Sequence, residues 1–193
     1  VELGRKRYDE AEALARSALE ALPLKARVLL SRVALAKGDA AGAEREAQAA
    51  AAGPDPEPQA LLALAEVKLK TGRAAEALAD VERAAARARE TKLPPVWGLE
   101  FARGDALART NRFDEAEAAF RAEIAAFPTN TQPWVSLSVV RFMKGDRAGV
   151  DRLLEEMYRA APSPRTALLA AGTLDSLGEK GKAESWRRRA SRR

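Results

Sequence analysis

The chain has 193 residues, 47% hydrophobic and 32% charged, a balance that suits one globular domain or an extended array and excludes a disordered tail. It contains neither cysteine nor histidine, which removes disulfides, thiolate nucleophiles, zinc ribbons and every triad that needs an imidazole. The net charge of +5 resides in Arg187, Arg188, Arg189, Arg192 and Arg193, and the rest of the chain sums to zero. That is a terminal tag and not the spread basic face that nucleic acid requires, so nucleic acid is not the expected partner. No apolar run approaches the ~20 residues that cross a bilayer, so the reading is of a soluble chain, cytoplasmic or periplasmic. No catalytic residue, metal ligand set or cofactor is expected. The start at Val1, without a methionine or a leader, reads as a cut through a longer array.

Taken in order, the chain alternates two kinds of helix. Residues 1–23 carry "RYDEAEALARSALEALP" (7–23), one amphipathic helix closed by a proline. Residues 24–57 give an apolar-rich helix, a turn at Gly38, a second amphipathic helix "GDAAGAEREAQAA", and the Pro54/Pro56 pair. Residues 58–96 repeat the plan with "QALLALAEVKLKT" (59–71), Gly72 and "GRAAEALADVERAA". Residues 97–130 turn at Asn111 and then nearly restate the opening phrase as "RFDEAEAAFRAEIAAFP" (112–128). Residues 131–163 hold "QPWVSLSVVRFMK" (132–144) and Gly145, and residues 164–193 hold Gly178 and the tail "WRRRASRR" (186–193).

Aligned on their turns, six segments place Lys6, Gly38, Gly72, Asn111, Gly145 and Gly178 at spacings of 32, 34, 39, 34 and 33. Glycine fills four of these six slots while supplying only 12 of 193 residues. It stops a helix by taking the left-handed cap conformation, for which asparagine is the next-best residue and lysine a poor one. Proline at Pro23, Pro54, Pro56, Pro128 and Pro162 lacks the amide hydrogen that would continue a second helix. A small residue recurs early in the second helices, at Ala11, Ala43, Ala77, Ala116 and Ala183, with Val150 the exception. The long spacing marks an insertion near "RARETKLPPVWG" (87–98), a lengthened helix followed by the stiff Pro94–Pro95 link. The whole forms a single array, residues 1–23 being the second half of a repeat and five complete repeats following.

These residues resemble the tetratricopeptide repeat family, whose unit is 34 residues of helix–turn–helix. Trp134, Leu137 and Ser138 meet the family's first-helix pattern, which weakens to Val150, Leu154 and Met157 in the second helix. The preceding unit supplies Gly104, Leu107, Phe113, Ala116, Phe120 and Pro128, and departs from the pattern at Arg103 and Glu123. The resemblance implies an all-α solenoid, a right-handed superhelix of hairpins whose first helices line a concave face that binds a protein or peptide. Carried over by position, that face comprises Val28, Leu29, Arg32 and Leu35, then Leu62, Glu66, Leu69 and Lys70. Phe101, Asp105 and Arg109 follow, then Val135, Val139, Phe142 and Met143, and last Leu168, Leu169 and Asp175. This lining is apolar where chaperone-binding repeats place lysine and asparagine for carboxylates, so an amphipathic helix or apolar peptide is the expected ligand. An alternative is that the array is an accessory segment of a larger bacterial enzyme, because similar arrays follow hydrolase domains of the sulfatase type.

The remaining candidates read as structure. The acidic pairs Asp114–Glu115 and Glu155–Glu156 fall at a helix start and on a helix flank, where acids are stabilising or neutral. The arginine tail reads as the solvated end of the last helix, with acidic partners, phosphates or a basophilic kinase acting at Ser191 as the other readings. Trp97 reads as a pin holding the insertion onto neighbouring helices, or else as an exposed anchor for a partner.

Overall fold

Glycine and proline punctuate the chain into helices, and the computed structural model shows how closely. It describes residues 2–191, with side chains from residue 7 onward. All regular structure among the described residues is helical: α1 Glu2–Ser17, α2 Pro23–Lys37, α3 Ala40–Ala50, α4 Pro58–Lys70, α5 Ala74–Glu90 and α6 Leu99–Arg109, followed by α7 Phe113–Ala126, α8 Thr131–Met143, α9 Arg147–Ala160, α10 Pro164–Ser176 and α11 Lys180–Ser191. No described helix is long and apolar enough to cross a membrane.

The turn residues take the expected backbone. Gly38, Gly72, Gly145 and Gly178 have φ between 79° and 84°, and Asn111 has φ of 60°. Each lies between the two helices of a hairpin, and the amide of the following residue returns to a carbonyl of the first helix, as Arg73 N does to Lys68 O at 2.8 Å. A side chain at Gly72 would meet nothing within 4 Å, so an exchange there strains only the backbone. Gly72→Ala is therefore expected to cost about 1 kcal/mol in urea unfolding, and Asn111→Gly to be neutral or slightly stabilising. Lys6 is a correction. It lies inside α1, which runs unbroken from Glu2 to Ser17, so no turn falls at that slot. Pro23 is another: α1 ends at Ser17, and Pro23 opens α2, as Pro58 and Pro164 open α4 and α10. A proline at the first helical position loses nothing, because that amide has no intrahelical partner.

The chain divides into two units, Val1–Ala102 and Arg103–Arg193, the division falling within α6. In the first, α2 packs on α3, α3 on α4 and α4 on α5, and α2 also touches α4. Val28, Ala43, Ala47, Ala60 and Val67 form a continuous core there, and the fully buried alanines let the helix axes approach. The longest second helix is α5 at 17 residues, followed by the loop through Pro94 and Pro95 to Gly98. In the second unit, α7 packs on α8, α8 on α9, and α10 on α8, α9 and α11. Leu137, Leu154, Met157 and Leu174 are buried there, each contributing about 1.5–3 kcal/mol through the water it leaves. Trp134 is buried as well, and its indole N–H donates to Pro128 O at 3.1 Å, which fixes the entry of α8. Glu123 and Arg103, where the repeat pattern departs, are each engaged, and Glu123 is buried.

Candidate interaction surface

Successive hairpins are tied by a recurring ion clamp. The residue after the small slot of the second helix is Glu12, Glu44, Glu117 or Asp151; the first three pair with a cation beside the turn of the next hairpin, and Asp151 with one in the first turn of α11. Glu12 takes Lys37 at 2.9 Å, Glu44 takes Arg73 at 2.8 Å, Glu117 takes Lys144 at 3.1 Å, and Asp151 takes Lys182 at 2.7 Å. The two near-identical phrases make the same contacts: Asp9 joins Glu12 on Lys37, and Asp114 joins Glu117 on Lys144. Hydrogen bonds from Lys37 and Arg16 hold the Glu12 carboxyl below its usual range, and the Arg73 guanidinium does the same for Glu44. For Glu117 burial pushes upward, but the hydrogen bonds from Arg141 and Lys144 outweigh it and the carboxyl is held low. Asp114 is thus part of a clamp, Glu115 is paired with Arg112 at 2.6 Å, and Glu155 with Arg189 at 2.8 Å.

The residues expected on the concave face separate into three sets. Val28, Leu62 and Leu69 are corrections. They are 8%, 1% and 6% exposed and belong to the core, Leu62 Cδ2 lying 4.0 Å from where a side chain on Gly98 would begin. Leu35 is half-buried against the first unit's core. A second set is polar and self-paired. Arg32 on α2 binds Glu66 on α4 through two hydrogen bonds of 2.9 and 3.0 Å, and Arg109 binds Asp105 at 2.9 Å. Lys70 is exposed, Leu29 is 39% exposed beside that pair, and Phe101 is half-buried.

The third set lies in the second unit. Val135, Val139 and Phe142 are half-buried and Met143 is 61% exposed, all on one face of α8 by their spacing. Leu168 at 55% and Leu169 at 36% are exposed on α10, which contacts α8. The Arg147 guanidinium sits 5.1 Å from the Phe142 ring and pairs with Glu179, shielding one edge of the strip. Asp175 is occupied by Arg187.

Two further expectations change. Trp97 is 55% exposed, so it does not pin the insertion onto its neighbours; with Leu93 it stands out from the loop. The tail is not simply solvated. Arg187 pairs with Asp175 and Glu184, and Arg189 pairs with Glu155 while stacking 3.9 Å from the Tyr158 ring and 4.8 Å from that of Trp186. Ser191 is exposed and donates to Arg188 O, while Arg192 and Arg193 lie outside the described residues.

Helical hairpins stacked at about 34 residues, with left-handed turns and small residues at the crossings, define a repeat protein of the α-solenoid class. The tetratricopeptide repeat model matches residues 28–92 and 62–131, more than half of the chain, and the chain belongs to that family. No curated protein matches. Among solved structures, a thermophilic tetratricopeptide protein of Thermus thermophilus, TTC0263, is similar at a TM-score of 0.69 and 18% identity, over 86% of this chain and 89% of its own. A tetratricopeptide repeat protein from Parabacteroides merdae is similar at 0.69 and 16% identity, over 96% and 72%. PilF of Pseudomonas aeruginosa is similar at 0.68 and 16%, over 95% and 83%. At such identities the likeness is one of fold.

Proposed function

We propose that this chain is a protein-interaction module, without catalysis of its own, that holds an apolar peptide or amphipathic helix of a partner on the α8–α10 strip. The observation that carries this reading is the exposure of Met143, Leu168 and Leu169 on two helices in contact. Large apolar side chains left in water on adjoining helices supply the driving force for such a ligand. The first unit is the poorer platform, because the paired Arg32 and Glu66 occupy its face and would need to be dehydrated.

The test is selection of a displayed peptide library on the whole chain, followed by binding of the selected peptides to Met143→Asp and Leu168→Asp variants. Both side chains are exposed, so the variants are expected to melt like the parent and to lose at least about tenfold in affinity. Selected peptides should carry apolar residues at helical spacing. Unchanged affinity in a double Met143→Asp, Leu168→Asp variant would overturn the assignment.

A further inference from the structure

The same cleft is built twice, once in each unit, between two successive second helices and the first helix that separates them. In the first unit it lies among α1, α2 and α3, with a volume of about 260 Å³ and Arg16, Leu30, Gly42 and Arg45 on its walls. In the second it lies among α7, α8 and α9, with about 270 Å³ and Arg121, Leu137, Gly149 and Arg152 at the matching positions. The repetition has a sequence cause, "KGDAAG" at 37–42 and "KGDRAG" at 144–149. In each, the aspartate caps the helix by accepting from the glycine N–H at 2.8 Å, and a side chain on the glycine would collide with that carboxylate.

The two clefts differ at one telling place, where the first has Ala34 and the second has Arg141 at the matching position. Arg141 directs its terminal nitrogens to Asp146 at 2.8 Å and Glu117 at 2.7 Å, yet its Nε–H is buried without an acceptor among the described residues. A buried donor left unsatisfied costs about 1–3 kcal/mol, which an incoming acceptor would recover. Arg152 and Glu156 also line this cleft, and neither has a hydrogen-bond or ion-pair partner among the described residues. Trp134, Leu137 and Leu153 supply an apolar wall. Glu117 and Asp146 behind Arg141, with Glu156 at the rim, balance Arg121, Arg141 and Arg152 one for one, so the site suits one negative charge better than two.

We propose that the cleft between α7, α8 and α9 binds a carboxylate carried on a small apolar body, with Arg152 and the Arg141 Nε–H as donors and Trp134 and Leu137 as the wall. This site is separate from the α8–α10 strip and stands or falls without it.

The experiment follows the arginine Nε–H resonances of the whole chain by NMR during titration with 3-phenylpropionate and, separately, with inorganic phosphate at matched ionic strength. A saturable shift of the Arg141 Nε–H is expected with 3-phenylpropionate, whereas phosphate gives only a weak, linear drift. Arg152→Ala, which removes an unpaired side chain, should weaken binding about tenfold. Arg45→Ala in the matching cleft should leave it unchanged, and Glu156→Gln should tighten it. A non-saturating response, equal binding by Arg152→Ala, weaker or unchanged binding by Glu156→Gln, or phosphate saturating as readily would each overturn the proposal.

Discussion

Truncating Phe120 to alanine is expected to lower the unfolding free energy by about 3–5 kcal/mol, and adding one methyl group to its neighbour Gly104 by about 1–3 kcal/mol. The second value runs against the ordinary trend, since alanine is favoured over glycine inside a helix by about 1 kcal/mol. The reason is geometric. Phe120 on α7 is 1% exposed, and a Cβ on Gly104 of α6 would lie 2.6 Å from two of its ring carbons. A buried ring cannot swing aside as a flexible side chain could. The pair should therefore be coupled. Phe120→Leu, which clears the space beside residue 104, should cost distinctly less in the Gly104→Ala background than in the parent. A double-mutant cycle from urea unfolding reads this directly, and strictly additive losses would show that the helices slide apart and absorb the methyl group.

Acidification is the second large effect, and Glu117→Gln isolates it. Glu117 receives Arg141 at 2.7 Å, Arg121 at 2.9 Å and Lys144 at 3.1 Å, with its side chain only 12% exposed. Its carboxyl is held below the usual range in the folded chain, and the unfolded chain titrates near ~4.3. The stability it contributes is complete above the unfolded value and disappears as pH falls through the folded one. Glu44 shifts in the same direction through Arg73. Urea midpoints should thus fall steeply below about pH 5, and Glu117→Gln should flatten that slope while costing about 1–3 kcal/mol at neutral pH. Asp146 remains to Arg141 in the variant, which keeps the loss below that of a fully orphaned buried charge. An unchanged acid slope would move the effect to other carboxylates.

The turns were legible in the sequence because their constraint is local. A positive φ selects glycine or asparagine whatever surrounds it, and Gly38, Gly72, Asn111, Gly145 and Gly178 all comply. Lys6 fails for the same reason, having no such preference. Buried small residues such as Ala43, Ala116 and Ala183 were legible from their recurrence. The candidate surface was harder to read, because the first helices are apolar on several faces and helical spacing alone does not say which face meets water. Leu69 and Phe142 occupy the same place, three residues before the turn glycine, yet Leu69 is 6% exposed and Phe142 is only half-buried. What separates them is the packing of other chain segments, which no local pattern contains. Trp97 misled in the opposite sense, since a large aromatic beside two prolines suggests burial and it stands in water. The clefts and clamps escaped notice because their partners lie one repeat apart. Their signal was present all the same, in an acid directly after the small slot and a cation flanking the next turn.

That clamp has a consequence for how such a chain can change length. The Lys-Gly-Asp-x-Ala-Gly segments at Lys37 and Lys144 carry the same turn, the same aspartate cap and the same lysine, gripped by the same pair of acids from the preceding helix. A genetic exchange joining the chain at one copy to the chain at the other would rebuild an intact turn and an intact clamp at the junction. A hairpin gained or lost there keeps this clamp, although Arg32 and Arg27 would part from Glu66 and Glu46. The locks that hold neighbouring repeats together also mark where the array can be cut and respliced.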